Sequence, residues 1–274
     1  MHTSLRSLHL AAIYTFIGSQ NLFRPYMYSA QASPAARIPN APDFESYGPQ
    51  AWRRNGLPLL ETRAMVARTQ RQELMIVRIF SDYLCPWCYV AAVRLHHLQE
   101  EYQERITMQW RSFLLFREDA HKGWNGYVAA HWRKAQEAEP TLTFTPWRGG
   151  TYPTTTLPAH IAGKAMARQG RFDAFHLEAM RAFFSLNQNL EDPVVLRQVA
   201  VNVGADVERF DQDIADPELK ELVWREFTTG VERDRVTAIP TLFAGERRVV
   251  EGALSLDRYR QLFEAVLAEA ERSV

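Results

Sequence analysis

Cysteine is almost absent from this chain: there are two in 274 residues, Cys85 and Cys88. With both in one short segment, no other pair is left for a structural disulfide to indicate the redox compartment. A charge surplus is also lacking, because 32 Lys and Arg balance 32 Asp and Glu. With no basic stripe either, the chain has no electrostatic footprint for nucleic acid. It contains no run of about 18 uncharged apolar residues, so no membrane span is expected. Acidic residues are missing up to Asp43, a region where Arg6, Arg24 and Arg37 stand among Ser, Ala and Pro. What is present is an ordinary 46% of apolar residues, enough to build the core of one large domain or two small ones.

The acid-poor start has three readings. A secretory signal would use Leu8 to Gly18 as its apolar region and Ala30-Gln31-Ala32 as its cleavage site, but eleven mostly polar or aromatic residues separate them. The composition also suits an organellar transit peptide. Alternatively, a chain begun at Met75 keeps the entire fold. Residues 1–73 are therefore treated as a non-catalytic extension, partly disordered, with a short helix over Leu59 to Thr69.

The remaining residues organise around Cys85-Pro86-Trp87-Cys88. The motif lies between an apolar strand, Leu74 to Phe80, and a segment of helical periodicity, Tyr89 to Tyr102. Pro86 suits the first helical position, which makes Cys85 the N-cap. Unsatisfied N–H groups and the positive end of the helix dipole then face its sulfur. In Cys-X-X-Cys motifs such surroundings bring the thiol pKa down to roughly 3.5–7. Cys88, one turn on, would point back beneath Cys85 and be less exposed, so Cys85 is the exchanging thiol and Cys88 the resolving one. A zinc half-site is the first alternative, but four ligands are needed, no second Cys-X-X-Cys exists, and His96 and His97 cannot face one metal from adjacent helical positions. No metal and no cofactor is expected. The second alternative is a pair of inert core cysteines.

Downstream, Ile106 to Arg111 alternates apolar and polar residues, giving strand, helix, strand: a βαβ unit with parallel strands. Arg117 to Pro158 reads as irregular, with one helix near Tyr127 to Glu137. Helices follow over Ala159–Gln169, Phe172–Phe184, Pro193 to Gly204, and Pro217 to about Glu232, the last two opened by Asp-Pro. In the Pro193 helix, Val194, Val195, Leu196, Val199, Ala200 and Val203 predict burial of most of its surface. Thr241 to Phe243, a turn at Gly245 and Arg248 to Val250 form a hairpin, and Leu256 to Arg272 forms an amphipathic helix. Pro240 at the head of a strand marks an edge, a bend or a cis bond.

Taken together, Ser81-Asp82-x-x-Cys85-Pro86-Trp87-Cys88-Tyr89, the helical insertion, and Ile239-Pro240-Thr241 before a hairpin resemble the DsbA-type thioredoxin-fold oxidoreductases, and among them the FrnE-like branch. Gln109 to Leu114, Ala159-His160, Ala182 to Phe184, Leu190 to Asp192 and Glu251 to Ala253 add local matches. The resemblance covers about residues 74 to 270. It implies an α/β thioredoxin fold over 74–274, with a helical insertion at about 115–235 between βαβ and ββα parts. It also implies a cis-proline loop at Ile239-Pro240 beside the cysteines, where the backbone before the proline pairs with a substrate strand. Pro86 and Trp87 then present an apolar patch to that substrate, with Trp87 equally readable as a packing residue. Arg111, Asp82 and His160 match family positions but read as a strand-surface charge, a turn former and a helix-surface residue. Ser112 stands where the branch usually has proline, and Thr237-Ala238 replaces a glycine-containing approach to Pro240.

The expected function is thiol–disulfide exchange on a protein, peptide or small-molecule substrate, with glutathione as a further partner and the cytoplasm as the compartment. The alternative is a glutathione-dependent isomerase or transferase of the 2-hydroxychromene-2-carboxylate isomerase and kappa class, which is similar in fold and insertion but carries serine at the first motif position. A thioredoxin-fold scaffold with incidental cysteines is the non-enzymatic reading. Substituting Cys85 separates the three.

Overall fold

The computed structural model describes residues 74–116 and 123–272. The expected extension at 1–73, with the short helix and targeting segments read from its sequence, lies outside them. The βαβ unit forms as expected. Strand β1 (Met75–Ser81) is followed by helix α1 (Pro86–Tyr102) and strand β2 (Ile106–Ser112), which runs parallel to β1 in register from Met75↔Ile106 to Ser81↔Ser112. On its other side β1 pairs antiparallel with β3 (Thr241–Ala244), which pairs with β4 (Arg247–Glu251). The order β2-β1-β3-β4 puts β1 inside the sheet, which is why Val77, Ile79 and Phe80 are all buried. Gly245, at φ 58°, makes the tight β3–β4 turn, a backbone conformation open to glycine at no steric cost.

Among the described residues the insertion supplies six helices: α2 (Gly126–Ala138), α3 (Leu157–Arg168), α4 (Phe172–Phe184), α5 (Pro193–Asn202), α6 (Val207–Ile214) and α7 (Pro217–Thr228). The Asp-Pro signals act as predicted. The Asp192 carboxylate accepts from the Val194 N–H and Asp216 accepts from the Glu218 N–H, each with proline in the first turn where no donor is lost. A π-type turn, Thr229–Arg233, carries α7 on toward the predicted end near Glu232.

Two expectations are corrected. Helix α6 was not predicted, although Asp206 caps the Arg209 N–H and Val207, Phe210 and Ile214 recur at helical spacing, with Phe210 buried and Ile214 packed against the core. In α5 the buried face is narrower than the run of valines implies. Leu196, Val199 and Ala200 are buried while Val194 is 72% exposed, because only one stripe of the helix meets its neighbours.

The closing helix α8 (Leu256–Arg272) buries Tyr259, Phe263, Val266 and Leu267, with Phe263 edge-on to Tyr102 of α1 at 5.3 Å between centroids. Arg94 of α1 fastens three parts of the fold. Its guanidinium donates to the Glu139 carboxylate (2.9 Å), the Ala138 carbonyl (2.6 Å) and the Leu254 carbonyl (2.7 Å).

Candidate active site

β1 delivers the chain to the cysteines through a tight turn. The Asp82 carboxylate accepts from the Leu84 N–H (2.8 Å) and its carbonyl from the Cys85 N–H (3.3 Å), which ends the strand and aims the chain into α1. Cys85 is the N-cap, at φ −86° and ψ 117°, and Pro86 occupies the first turn. The Cys85 carbonyl then accepts from the N–H groups of Cys88 (3.0 Å) and Tyr89 (3.1 Å), so Cys88 stands one turn into the helix from Cys85.

The other wall comes from the far end of the chain. The β1–β3 pairing sets Thr241 opposite Phe80, which brings the Ile239–Pro240 bond alongside the motif. That bond is cis. The Thr241 hydroxyl donates to the Ala238 carbonyl (2.6 Å) and the Gly252 N–H to the Pro240 carbonyl (2.7 Å), holding the loop from both sides. The Cys85 thiol lies 3.8 Å from the Ile239 carbonyl oxygen and donates to it. Residues 154 apart in the chain thus meet at one sulfur.

Cys85, Cys88, Pro86, Ile239 and Pro240 are buried, and Trp87 is half-buried against the core. The expected difference in exposure between the two cysteines is absent, since each is 0% exposed. Burial pushes the Cys88 thiol well above its ordinary value, and the neighbouring Cys85 pushes it the same way. The Asp82 N–H and the Ser81 hydroxyl work against this, favouring the thiolate. The Ser81 hydroxyl does so from beside the sulfur rather than through an aligned hydrogen bond. Cys88 is therefore a thiol that keeps its proton until something takes it.

Three residues read as unremarkable in the sequence have definite partners. Asp82 is fully buried, and beyond its turn it accepts from the Leu115 N–H (3.1 Å) and pairs with the His160 ring (3.3 Å). His160 is 5% exposed rather than a helix-surface residue, because its side of α3 packs beneath the motif turn. Arg111 donates to Glu226 of α7 (2.9 Å) and to Gln109 (2.6 Å). Tyr83 and the pair His96–His176 were not anticipated at all. The Tyr83 ring packs edge-on against His160 (5.0 Å) and His176 (5.3 Å). The Ala159-His160 match was the one pointer toward this cluster.

Residues 76–264 match the DSBA-like thioredoxin domain over more than half of the chain. The chain belongs to the DsbA-like thioredoxin family. Among solved structures, a Nitrosomonas europaea protein thought to be a protein disulfide isomerase is similar at 18% identity and a TM-score of 0.63, over 72% of this chain and 99% of its own. The cytosolic disulfide reductase DsbM of Pseudomonas aeruginosa is similar at 19% identity and a TM-score of 0.57, over 73% and 100%. A 2-hydroxychromene-2-carboxylate isomerase aligns at 16% identity and a TM-score of 0.53, over 73% and 98%. No curated protein sequence matches the chain. At these identities the solved structures share the fold of this DsbA-like chain. Within the family, an oxidoreductase or a related isomerase or transferase is the functional class that the match supports.

Proposed function

We propose that the protein is a thiol–disulfide oxidoreductase in which Cys85 exchanges with the client and Cys88 resolves. The observation carrying this is the Cys-X-X-Cys pair at the head of α1, with the Cys85 sulfur against the carbonyl that precedes a cis-proline. In the reducing direction the Cys85 thiolate attacks a client disulfide. A Cys85–client S–S bond forms, and the other client sulfur leaves with the electron pair and gains a proton. Cys88, deprotonated, then attacks the Cys85 sulfur. The Cys85–Cys88 bond forms, the second client thiolate departs, and the two electrons of the pair have passed to the client. The oxidising direction is the same sequence reversed. Ile239 and Pro240 would offer backbone to an extended client segment, and Pro86 and Trp87 apolar contact.

The likeness to a cytosolic reductase, also solved with glutathione at a TM-score of 0.55, supports glutathione as the thiol that recycles the pair, a cytoplasmic setting and membership of the FrnE-like branch. The likeness to the chromene isomerase favours a second reading, glutathione-dependent isomerisation or transfer. Equilibrating the protein against a glutathione redox series, with thiol alkylation followed by mass, tests the proposal. A reversible two-electron couple that is lost in Cys85→Ser is the expected result. Thiols that never form the intramolecular disulfide would sink it, and glutathione conjugation that survives Cys85→Ser would favour the second reading.

A further inference from the structure

A small cavity of about 20 Å³ sits where the insertion meets the sheet. It is bordered by Ser81 and Ser112, the last residues of β1 and β2, by Trp110 of β2, by His160 and Lys164 of α3 and by His176 of α4. A buried water needs about 10–15 Å³ and several polar neighbours, and both conditions are met. The Ser81 and Ser112 hydroxyls, the Trp110 indole N–H and the Tyr83 hydroxyl, all on residues that line this cavity, find no hydrogen-bond partner among the described residues. Ser81, Ser112 and Tyr83 are each no more than 5% exposed. Buried polar groups of folded proteins are nearly always bonded, to protein or to ordered water.

The histidines decide what such a ligand must be able to do. His96 Nδ1 lies 3.6 Å from the Asp173 carboxylate, an acceptor only, so the His96 proton belongs on Nδ1 and its Nε2 is a bare lone pair. His176 Nδ1 faces that lone pair at 3.0 Å and supplies the proton between them. Burial, with His96, His160 and Lys164 nearby, holds His176 well below the ordinary range, which keeps its ring neutral near neutral pH. A neutral imidazole has one N–H, so His176 Nε2 is left as an acceptor. The charges around the cavity are compensated: Asp82 faces His160, and Lys164 and Arg111 both pair with Glu226. No net charge therefore calls for a counter-ion. An anion could accept from the Trp110 N–H but not donate to His176, a metal cation could not accept from Trp110, and water does both.

We propose that this cavity is a binding site for one ordered water, which accepts from the Trp110 indole N–H, donates to His176 Nε2 and is completed by the Ser81 and Ser112 hydroxyls. The site fastens the ends of β1 and β2 to α3 and α4 of the insertion. It also fixes His176 and His96 as Nδ1–H tautomers, in a run of donors from the water through both rings to Asp173. No thiol takes part, and the inference stands apart from the thiol-exchange reading.

Two NMR measurements on the full-length reduced protein test it without any variant, at about pH 8, above the ordinary histidine range. Long-range ¹H–¹⁵N correlation of the imidazoles is expected to show both His96 and His176 protonated on Nδ1. His176 protonated on Nε2 would overturn the site, because the water would have no lone pair to meet. The Trp110 indole proton is expected to show a cross-relaxation peak to a long-lived water, and its absence would overturn the proposal. Exchanging chloride for bromide in the buffer should leave these signals in place, whereas a shift would assign the cavity to an anion instead. Ser112→Ala gives a further reading. Removing a hydroxyl bonded to the water is expected to lower the thermal midpoint by about 2–4 °C, and an unchanged or raised midpoint would mean that the hydroxyl had no water to bond.

Discussion

At the two sulfur atoms, function depends on unequal surroundings rather than unequal exposure. Cys85 meets a backbone carbonyl and the head of a helix, whereas Cys88 is enclosed, its proton tightly held. Replacing Cys88 with Ser is therefore expected to leave client capture intact and stall at the mixed disulfide, seen as a mass adduct on Cys85. An adduct that clears at the parental rate would contradict the resolving role. Packing near the turn is equally exacting. A methyl group at position 163 would run into the buried Tyr83 hydroxyl, so Gly163→Ala is expected to cost about 1–3 kcal/mol by denaturant unfolding. A loss within a few tenths of a kcal/mol would mean that Tyr83 moves freely.

Helices and strands are joined by a few polar ties. Glu226 of α7 accepts from Lys164 of α3 (2.6 Å), Arg111 of β2 (2.9 Å) and the Ser112 N–H (2.8 Å), pinning two helices to the sheet edge. Burial opposes the charge on Glu226, but Lys164, the Ser112 N–H and Arg111 outweigh it and hold the carboxyl below its ordinary range. Lys164 is drawn down by burial, which its attraction to Glu226 only partly offsets while Arg111 repels it. Glu226→Leu would strand a buried ammonium, and a loss of about 3–5 kcal/mol is expected, against a near-neutral result if the three elements pack without the tie. Arg94 plays the corresponding part on the other side. Arg94→Met leaves Glu139 and two carbonyls without their donor, at about 1–3 kcal/mol for each group that water does not reach. Arg94→Lys should recover little of it, because an ammonium cannot span three acceptors in a plane.

For the molecule as a whole, the buried histidines determine how stability responds to acid. His96 and His176 are both held below their ordinary 6.5, chiefly by burial. The folded chain then refuses protons that the unfolded chain accepts. Their contribution is complete above about 6.5 and lost as pH falls through their folded values. Glu226 adds a loss below its ordinary 4.5 by the same sign. The midpoint of thermal unfolding should be level above neutrality and decline from about pH 6.5 downward, with a shallower decline in His176→Phe. An equal slope in that variant would locate the acid sensitivity elsewhere. Both cysteines, the cis-proline and a continuous core lie within residues 74–272, so a chain begun at Leu74 is expected to fold and to retain thiol exchange. An unfolded circular dichroism spectrum would show that residues 1–73 are needed.

What the sequence determined alone was whatever local chemistry controls. The motif spacing, Pro86 after Cys85, the Asp-Pro helix starts, the glycine turn and the apolar runs each act within a few residues, and the family match rests on them. Helix α6 was legible, with Asp206 as cap and Val207, Phe210 and Ile214 at helical spacing, but its eight residues carry only those three apolar positions between two stronger helices, and Val194 misled because periodicity does not say how wide the neighbouring surface is. The tertiary structure alone decided which residues meet across long separations. Ile239 reaches Cys85 because β3 pairs with β1, and His160 reaches Asp82 because α3 packs beneath the motif turn. A buried carboxylate–imidazole pair and a surface aspartate and histidine are identical letters in a chain, and only the packing that removes water from them sets their protons in play.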